Sequence, residues 1–259
     1  MATSSAEHGD GAAVTLLIPA SATLKDGATV NVTTTYPFED TVVVTCQTSK
    51  SKPRSFPLSI RVPVWATNAT LNGLAVAAGM FSQQRCQSNS AANRFVLELS
   101  PEIAVEEWAG DQHGGAAKNN AYSVVRGPLL YSLPLAHNFT VYGRHFGTGD
   151  QASNDYYLNR NSAWNFALVI DRNHPTKTLQ FVRGAAYDDG AAPFNRSGPL
   201  SITASARLVP GWTEALNSAA PPPLSPACQA AAADCGPVTQ VTLVPHGYTE
   251  LRVGEFPLA

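Results

Sequence analysis

Residues 56–73 read FPLSIRVPVWATNATLNG, and this stretch decides the fold. From Leu58 to Val64 the apolar residues Leu58, Ile60, Val62 and Val64 alternate with Ser59, Arg61 and Pro63. Successive side chains of a strand point to opposite faces, so the pattern predicts a half-buried strand. Proline cannot donate to a ladder, so Pro63 marks an edge or a strand end. Asn72-Gly73, between Leu71 and Leu74, predicts a tight hairpin because both residues tolerate positive φ.

The same period of two recurs along the chain. Phe95, Leu97 and Leu99 share a face, as do Trp164, Phe166, Leu168 and Ile170, and as do Ile202, Ala204, Ala206 and Leu208. Thr41–Cys46 is a β-branched run. No window holds a capped helical period; Ala227–Asp234 comes nearest, and Pro226 and Gly236 bracket it. The chain therefore reads as all-β, with two consecutive antiparallel β-sandwich (jelly-roll-like) domains. Its 259 residues suit that number. A disordered segment is expected over residues 1–12, the first sandwich over 13–115 and the second over 116–259. The linker between them is the polar stretch Asp111–Asn120, DQHGGAAKNN. Residues 216–237 form a Pro/Ala-rich surface loop, and Gly143–Asn161 a second long polar one.

Composition narrows the function classes. A hydrophobic content of 44% with 14% charged residues supports real cores and argues against a disordered chain. A net charge of −2 with no basic run gives no footprint for nucleic acid or an anionic membrane, whereas neutral partners such as sugars fit. No apolar run is long enough to span a bilayer. The first residues, MATSSAEHGDGAAVTLLIPAS, lack a basic region ahead of the apolar stretch and do not read as a signal peptide. If the protein is extracellular, its secretory signal is expected upstream of these residues.

Cys46, Cys86, Cys228 and Cys235 allow three pairings or four idle thiols. The favoured pairing joins Cys46 to Cys86 and Cys228 to Cys235. On the chain-entropy model these links contribute about 4 and about 2.5 kcal/mol. Disulfides, together with Asn-X-Ser/Thr sequons at Asn31, Asn68, Asn138 and Asn195, point to a secreted glycoprotein in the extracellular space or secretory pathway.

Chemistry-bearing residues are sparse. A glycosidase needs two carboxylates facing each other across a bond, and Glu106 and Glu107, adjacent on a strand, point to opposite faces. Asp188-Asp189-Gly190 and Glu39-Asp40 read as turns. His8, His113, His137, His145, His174 and His246 form no metal-binding spacing, and Cys228-X6-Cys235 is too wide for a zinc knuckle. Tyr156, Tyr157 and Trp164 form an aromatic group, with Tyr142 and Phe146 upstream, whose rings could stack on sugars. Trp164 reads sooner as the first core residue of its strand, whereas Tyr156 and Tyr157 read equally as core or interface residues and as ligand contacts. Arg126-Gly127-Pro128 reads as a strand entry whose arginine pairs with a carboxylate.

Several of these segments, in order, resemble the C-terminal β-sandwich domains of the β-L-arabinofuranosidase-like enzymes, glycoside hydrolase family 127. Arg61, Pro63, Trp65, Asn72 and Gly73 match a strand of the type LRIPGWA and its Asn-Gly turn. Tyr36-Pro37, Trp108-Ala109-Gly110-Asp111, Arg126 to Tyr131, Trp164 to Leu168, Leu243 to Pro245 and Thr249 to Arg252 follow in register. The resemblance runs from about Val14 to Pro257. It implies that these strands are a non-catalytic accessory region and that no catalytic residue lies on them. It places the cysteine nucleophile, the glutamates and a zinc ion in a catalytic helical barrel outside these strands, so no cofactor is expected on this chain. The implied partners are that barrel or another subunit, with plant- or algal-type glycans as ligands. A free-standing carbohydrate-binding or cell-surface structural module is the alternative.

Overall fold

The strand predicted around Leu58 forms and ends at Arg61, two residues before Pro63. In a computed structural model the chain is described at residues 2–4, 11–49, 54–88, 93–108, 121–145, 153–185, 198–216, 218–228 and 235–259. Two compact units result, Met1–Glu102 and Ile103–Ala259. No α-helix occurs among the described residues.

The first unit contains β1 (Ala2–Ser4), β2 (Gly11–Val14), β3 (Ala20–Thr23), β4 (Thr29–Thr34), β5 (Thr41–Gln47), β6 (Phe56–Arg61), β7 (Thr70–Leu71), β8 (Leu74–Ala75), β9 (Phe81–Cys86) and β10 (Arg94–Glu98). They make two sheets, ordered β1-β2-β6-β9 and β3-β4-β5-β10-β7-β8. Phe56, Leu58 and Ile60 from the first sheet meet Val30, Val42, Val44 and Leu97 from the second in one core. A full side chain of this size taken out of water contributes about 2 kcal/mol, so the sandwich rests chiefly on this layer. Val64, expected on the buried face of β6, lies beyond the strand end and is 72% exposed. Within residues 1–12, expected to be disordered, Ala2–Ser4 form β1 and Gly11 and Ala12 begin β2; the rest lie outside the described residues. β2 adds in parallel to β6 and buries Ala12 and Val14, so tertiary pairing overrides the weak strand propensity of GAAV.

Asn72 and Gly73 turn β7 into β8 with φ of 51° and 78°, as the hairpin reading requires. Asn72 also fastens the turn to β10: its N–H donates to Val96 O, and its Oδ1 accepts from Val96 N–H, both at 2.8 Å. Cys46 on β5 and Cys86 on β9 form a disulfide that links the two sheets.

The second unit contains β11 (Ile103–Trp108), β12 (Ala121–Arg126), β13 (Leu129–Pro134), β14 (His137–His145), β15 (Ser153–Arg160), β16 (Phe166–Leu168), β17 (Leu179–Arg183), β18 (Leu200–Leu208), β19 (Glu214–Ala215), β20 (Ser218–Ala219), β21 (Val238–Pro245) and β22 (Arg252–Val253). Its main sheet runs β11-β12-β13-β21-β18-β16, with β17 on β18 and β22 on β13. Phe256 bridges to Tyr122 on β12, and Leu258 to Leu168 on β16, near opposite ends of that order. The sheet therefore curls on itself around Tyr131, Leu168, Leu179, Leu200, Ile202 and Leu243.

The units divide between Glu102 and Ile103 because β11 hydrogen-bonds along its whole length to β12. The expected linker Asp111–Asn120 lies wholly outside the described residues, between the end of β11 and the start of β12. Gly143–Asn161, expected as a loop, instead carries the end of β14 and all of β15. The strand expected over Trp164–Ile170 is shorter, Phe166–Leu168.

Candidate functional site

β14 and β15 pair only with each other, as a two-stranded ribbon apart from the main sheet. Its root is fixed by polar contacts. Arg160 Nη2 lies 2.8 Å from Glu214 Oε1, and Arg160 Nη1 donates to Ser162 O. Asn161 N–H donates to Ala136 O, and the buried His137 ring lies 2.8 Å from Leu135 O through Nδ1. Opposite residues of an antiparallel pair share a face. Asn138 with Asn159 and Thr140 with Tyr157 therefore form one face; Phe139 with Leu158 and Val141 with Tyr156 form the other.

The register slips between Val141 and Gly143, so Tyr142 has no cross-strand partner. By alternation Tyr142 follows Asn138 and Thr140 on one face, and its ring stands 4.8 Å from Tyr157, edge to face. Phe139 and Tyr156 meet edge to face at 5.6 Å on the reverse side. Exposure stays high throughout: 66% at Tyr142, 55% at Tyr157 and 47% at Tyr156. Trp164, the third member of the aromatic group, is 5% exposed and packs edge to face on Trp212 at 4.9 Å. It belongs to the core, so the exposed aromatic group is Tyr142, Tyr156 and Tyr157. Sequence reasoning placed Tyr142 only upstream of this group, because the pairing of β14 with β15 that sets it beside Tyr157 is not local.

A second polar constellation escaped the sequence. Ser132 Oγ lies 2.7 Å from His246 Nδ1, and Arg252 Nε donates to His246 Nε2 at 2.7 Å. Arg252 Nη1 also donates to Thr249 O. Because Nε2 accepts from an arginine it carries no proton, so Nδ1 is the protonated nitrogen and donates to Ser132. A histidine in that tautomer takes no proton from the serine, which excludes nucleophilic activation and leaves a structural tie. Burial first, and then the Arg252 guanidinium, hold His246 below its ordinary value.

The remaining candidates disperse. Glu106 and Glu107 alternate on β11 opposite Ser123 and Tyr122, and Glu107 pairs with Arg172 at 3.1 Å. Glu39 and Asp40 lie in a bend before β5. Arg126 is buried with its guanidinium 4.0 Å from the centre of the Phe181 ring. His174 pairs with Asp171. His8, His113, Phe146, Asp188, Asp189, Gly190 and Asn195 lie outside the described residues, as do six positions of the Pro/Ala loop from Gln229 to Asp234. Among the sequons, Asn68 and Asn138 are exposed, whereas Asn31 is half-buried on β4 and accepts from Ser21 Oγ. Both favoured disulfides form, Cys46–Cys86 and Cys228–Cys235. No group of three or more His, Cys, Asp or Glu stands together among the described residues. All four cysteines are in disulfides.

Residues 11–85, which run from β2 through most of β9, match the family model described as β-L-arabinofuranosidase, GH127 middle domain. No curated protein matches the chain. The structure is similar to that of a GH127 β-L-arabinofuranosidase from Geobacillus stearothermophilus T6, at 17% identity and a TM-score of 0.51, over 96% of this chain and 34% of that one. It is also similar to a second GH127 β-arabinofuranosidase, at 12% identity and a TM-score of 0.50, over 95% of this chain and 34% of that one. At these identities the likeness is one of fold, and the chain spans about a third of the length of the solved structures it matches. The chain thus carries, at residues 11–85, a match to the GH127 middle domain within an all-β fold that it shares with part of two GH127 enzymes.

Proposed function

We propose that this chain is a non-catalytic accessory β-sandwich region of a GH127-like glycoside hydrolase. The parent activity is hydrolysis of L-arabinofuranosides or related glycans in a helical barrel. The chain braces that barrel or mediates oligomer and substrate contacts. The observation that carries this reading is the GH127 middle-domain match at residues 11–85, on a chain that covers only 34% of two GH127 enzymes. The dispersed carboxylates and fully paired cysteines support it, because acid/base and thiolate chemistry both need free groups that converge. Two disulfides suit an extracellular or secretory location, and the exposed Asn68 suits a glycoprotein.

The test is a hydrolysis assay on p-nitrophenyl β-L-arabinofuranoside. The chain alone is expected to give no turnover, and to raise the thermal stability of a separately produced GH127 helical barrel when the two are mixed. Turnover by the chain alone, abolished by a point substitution in it, would overturn the reading.

A further inference from the structure

We infer that the face of the β14–β15 ribbon carrying Asn138, Thr140, Tyr142, Tyr157 and Asn159 binds a neutral glycan chain. The inference goes beyond the accessory role and does not depend on it. All five residues are exposed, and none carries a charge. They form one surface: Asn138 stands opposite Asn159, Thr140 opposite Tyr157, and alternation from Thr140 adds Tyr142, whose ring meets Tyr157. From Asn138 to Tyr142 the strand runs about 13 Å, the scale of a short oligosaccharide.

The chemistry of this face fits a sugar on both counts. Tyrosine rings offer flat surfaces to the C–H faces of sugar rings. Amides and a hydroxyl beside them offer donors and acceptors to sugar hydroxyls. Asn159 Nδ2 donates to Thr140 Oγ1 at 2.7 Å, which fixes the amide and leaves its Oδ1 free of that bond. The five residues carry no charge, and Asp155, which shares their face by alternation with Tyr157 and Asn159, is acidic, so an anionic partner is disfavoured. The reverse face differs: Phe139, Val141, Tyr156 and Leu158 give a continuous apolar strip, the composition of a protein contact rather than of a sugar site.

The experiment is affinity electrophoresis of the intact chain, made in bacteria so that Asn138 stays unmodified. The gels hold branched arabinan, neutral arabinoxylan or anionic polygalacturonate. Neutral polysaccharide is expected to retard the native chain. The double variant Tyr142→Ala/Tyr157→Ala should lose about ten-fold in affinity, while Phe139→Ala/Tyr156→Ala stays within about two-fold. Circular dichroism and thermal melting check that both variants fold. Should the first not fold, Asn159→Ala, which keeps both rings, is expected to weaken binding about three-fold. The inference is overturned by no retardation in either neutral polymer, by retardation in polygalacturonate alone, or by equal losses in the two double variants. Self-association through these tyrosines without glycan binding would overturn it as well.

Discussion

Ser132 Oγ lies 2.7 Å from His246 Nδ1, which ties the segment after β21 to β13 across 114 residues of sequence. Arg252 holds the other ring nitrogen at 2.7 Å, so a second proton on the imidazole would break that bond and set two cations together. His246 therefore has a lower pKa folded than unfolded, where it titrates near about 6.5. Below that pH the unfolded chain binds more protons than the folded one. The contribution of this tie is full above about pH 6.5 and is lost as pH falls through the lower folded value. Urea unfolding at pH 8 and pH 5 is expected to show lower stability of the second unit at pH 5. His246→Gln should lower stability by about 1–2 kcal/mol at pH 8 and flatten the acid-side loss.

The two disulfides should differ in weight. They close stretches of 40 and 7 residues, so their removal is expected to cost about 4 and about 2.5 kcal/mol on the chain-entropy model. Guanidinium unfolding of Cys46→Ala/Cys86→Ala and of Cys228→Ser/Cys235→Ser measures the two separately.

Three glycines separate backbone strain from crowding. Gly73 has φ of +78° and open space around an added Cβ, so Gly73→Ala should cost about 1 kcal/mol through conformation alone. At Gly198 an added Cβ would stand 2.6 Å from the Tyr248 ring, so Gly198→Ala should cost about 1–3 kcal/mol through overpacking. Gly211 has neither constraint, and Gly211→Ala should leave stability within about 0.5 kcal/mol of the original. Thermal melts of the three rank them.

Phe56 and Leu97 are fully buried, one from each sheet of the first sandwich. Phe56→Ala and Leu97→Ala are each expected to cost about 3–5 kcal/mol, read as a shift in the denaturant midpoint of the first unit.

Much of this architecture was legible because it is local. The alternation around Leu58 and Ile60 reports a sheet with one face in the core, and Asn72-Gly73 names its turn by conformation. Val64 misled because Pro63 ends the strand before its side chain reaches the core. What depends on distant pairing was not legible. GAAV becomes a strand only beside β6, and the Ser132–His246–Arg252 tie joins three separate positions. Trp164 reads chiefly as core from its place at the head of an alternating strand, and the fold packs it on Trp212; the exposure of Tyr157 beside Tyr142 depends on the pairing of β14 with β15.

The Cys46–Cys86 bond joins strands of two facing sheets rather than neighbours within one. Cutting it removes no rung of either ladder, so the consequence falls on how tightly the layers stay closed. In a reducing compartment the first unit would keep its secondary structure yet breathe, letting water and proteases reach Phe56 and Leu58. The bond thus acts as a clasp whose state records where the protein has been.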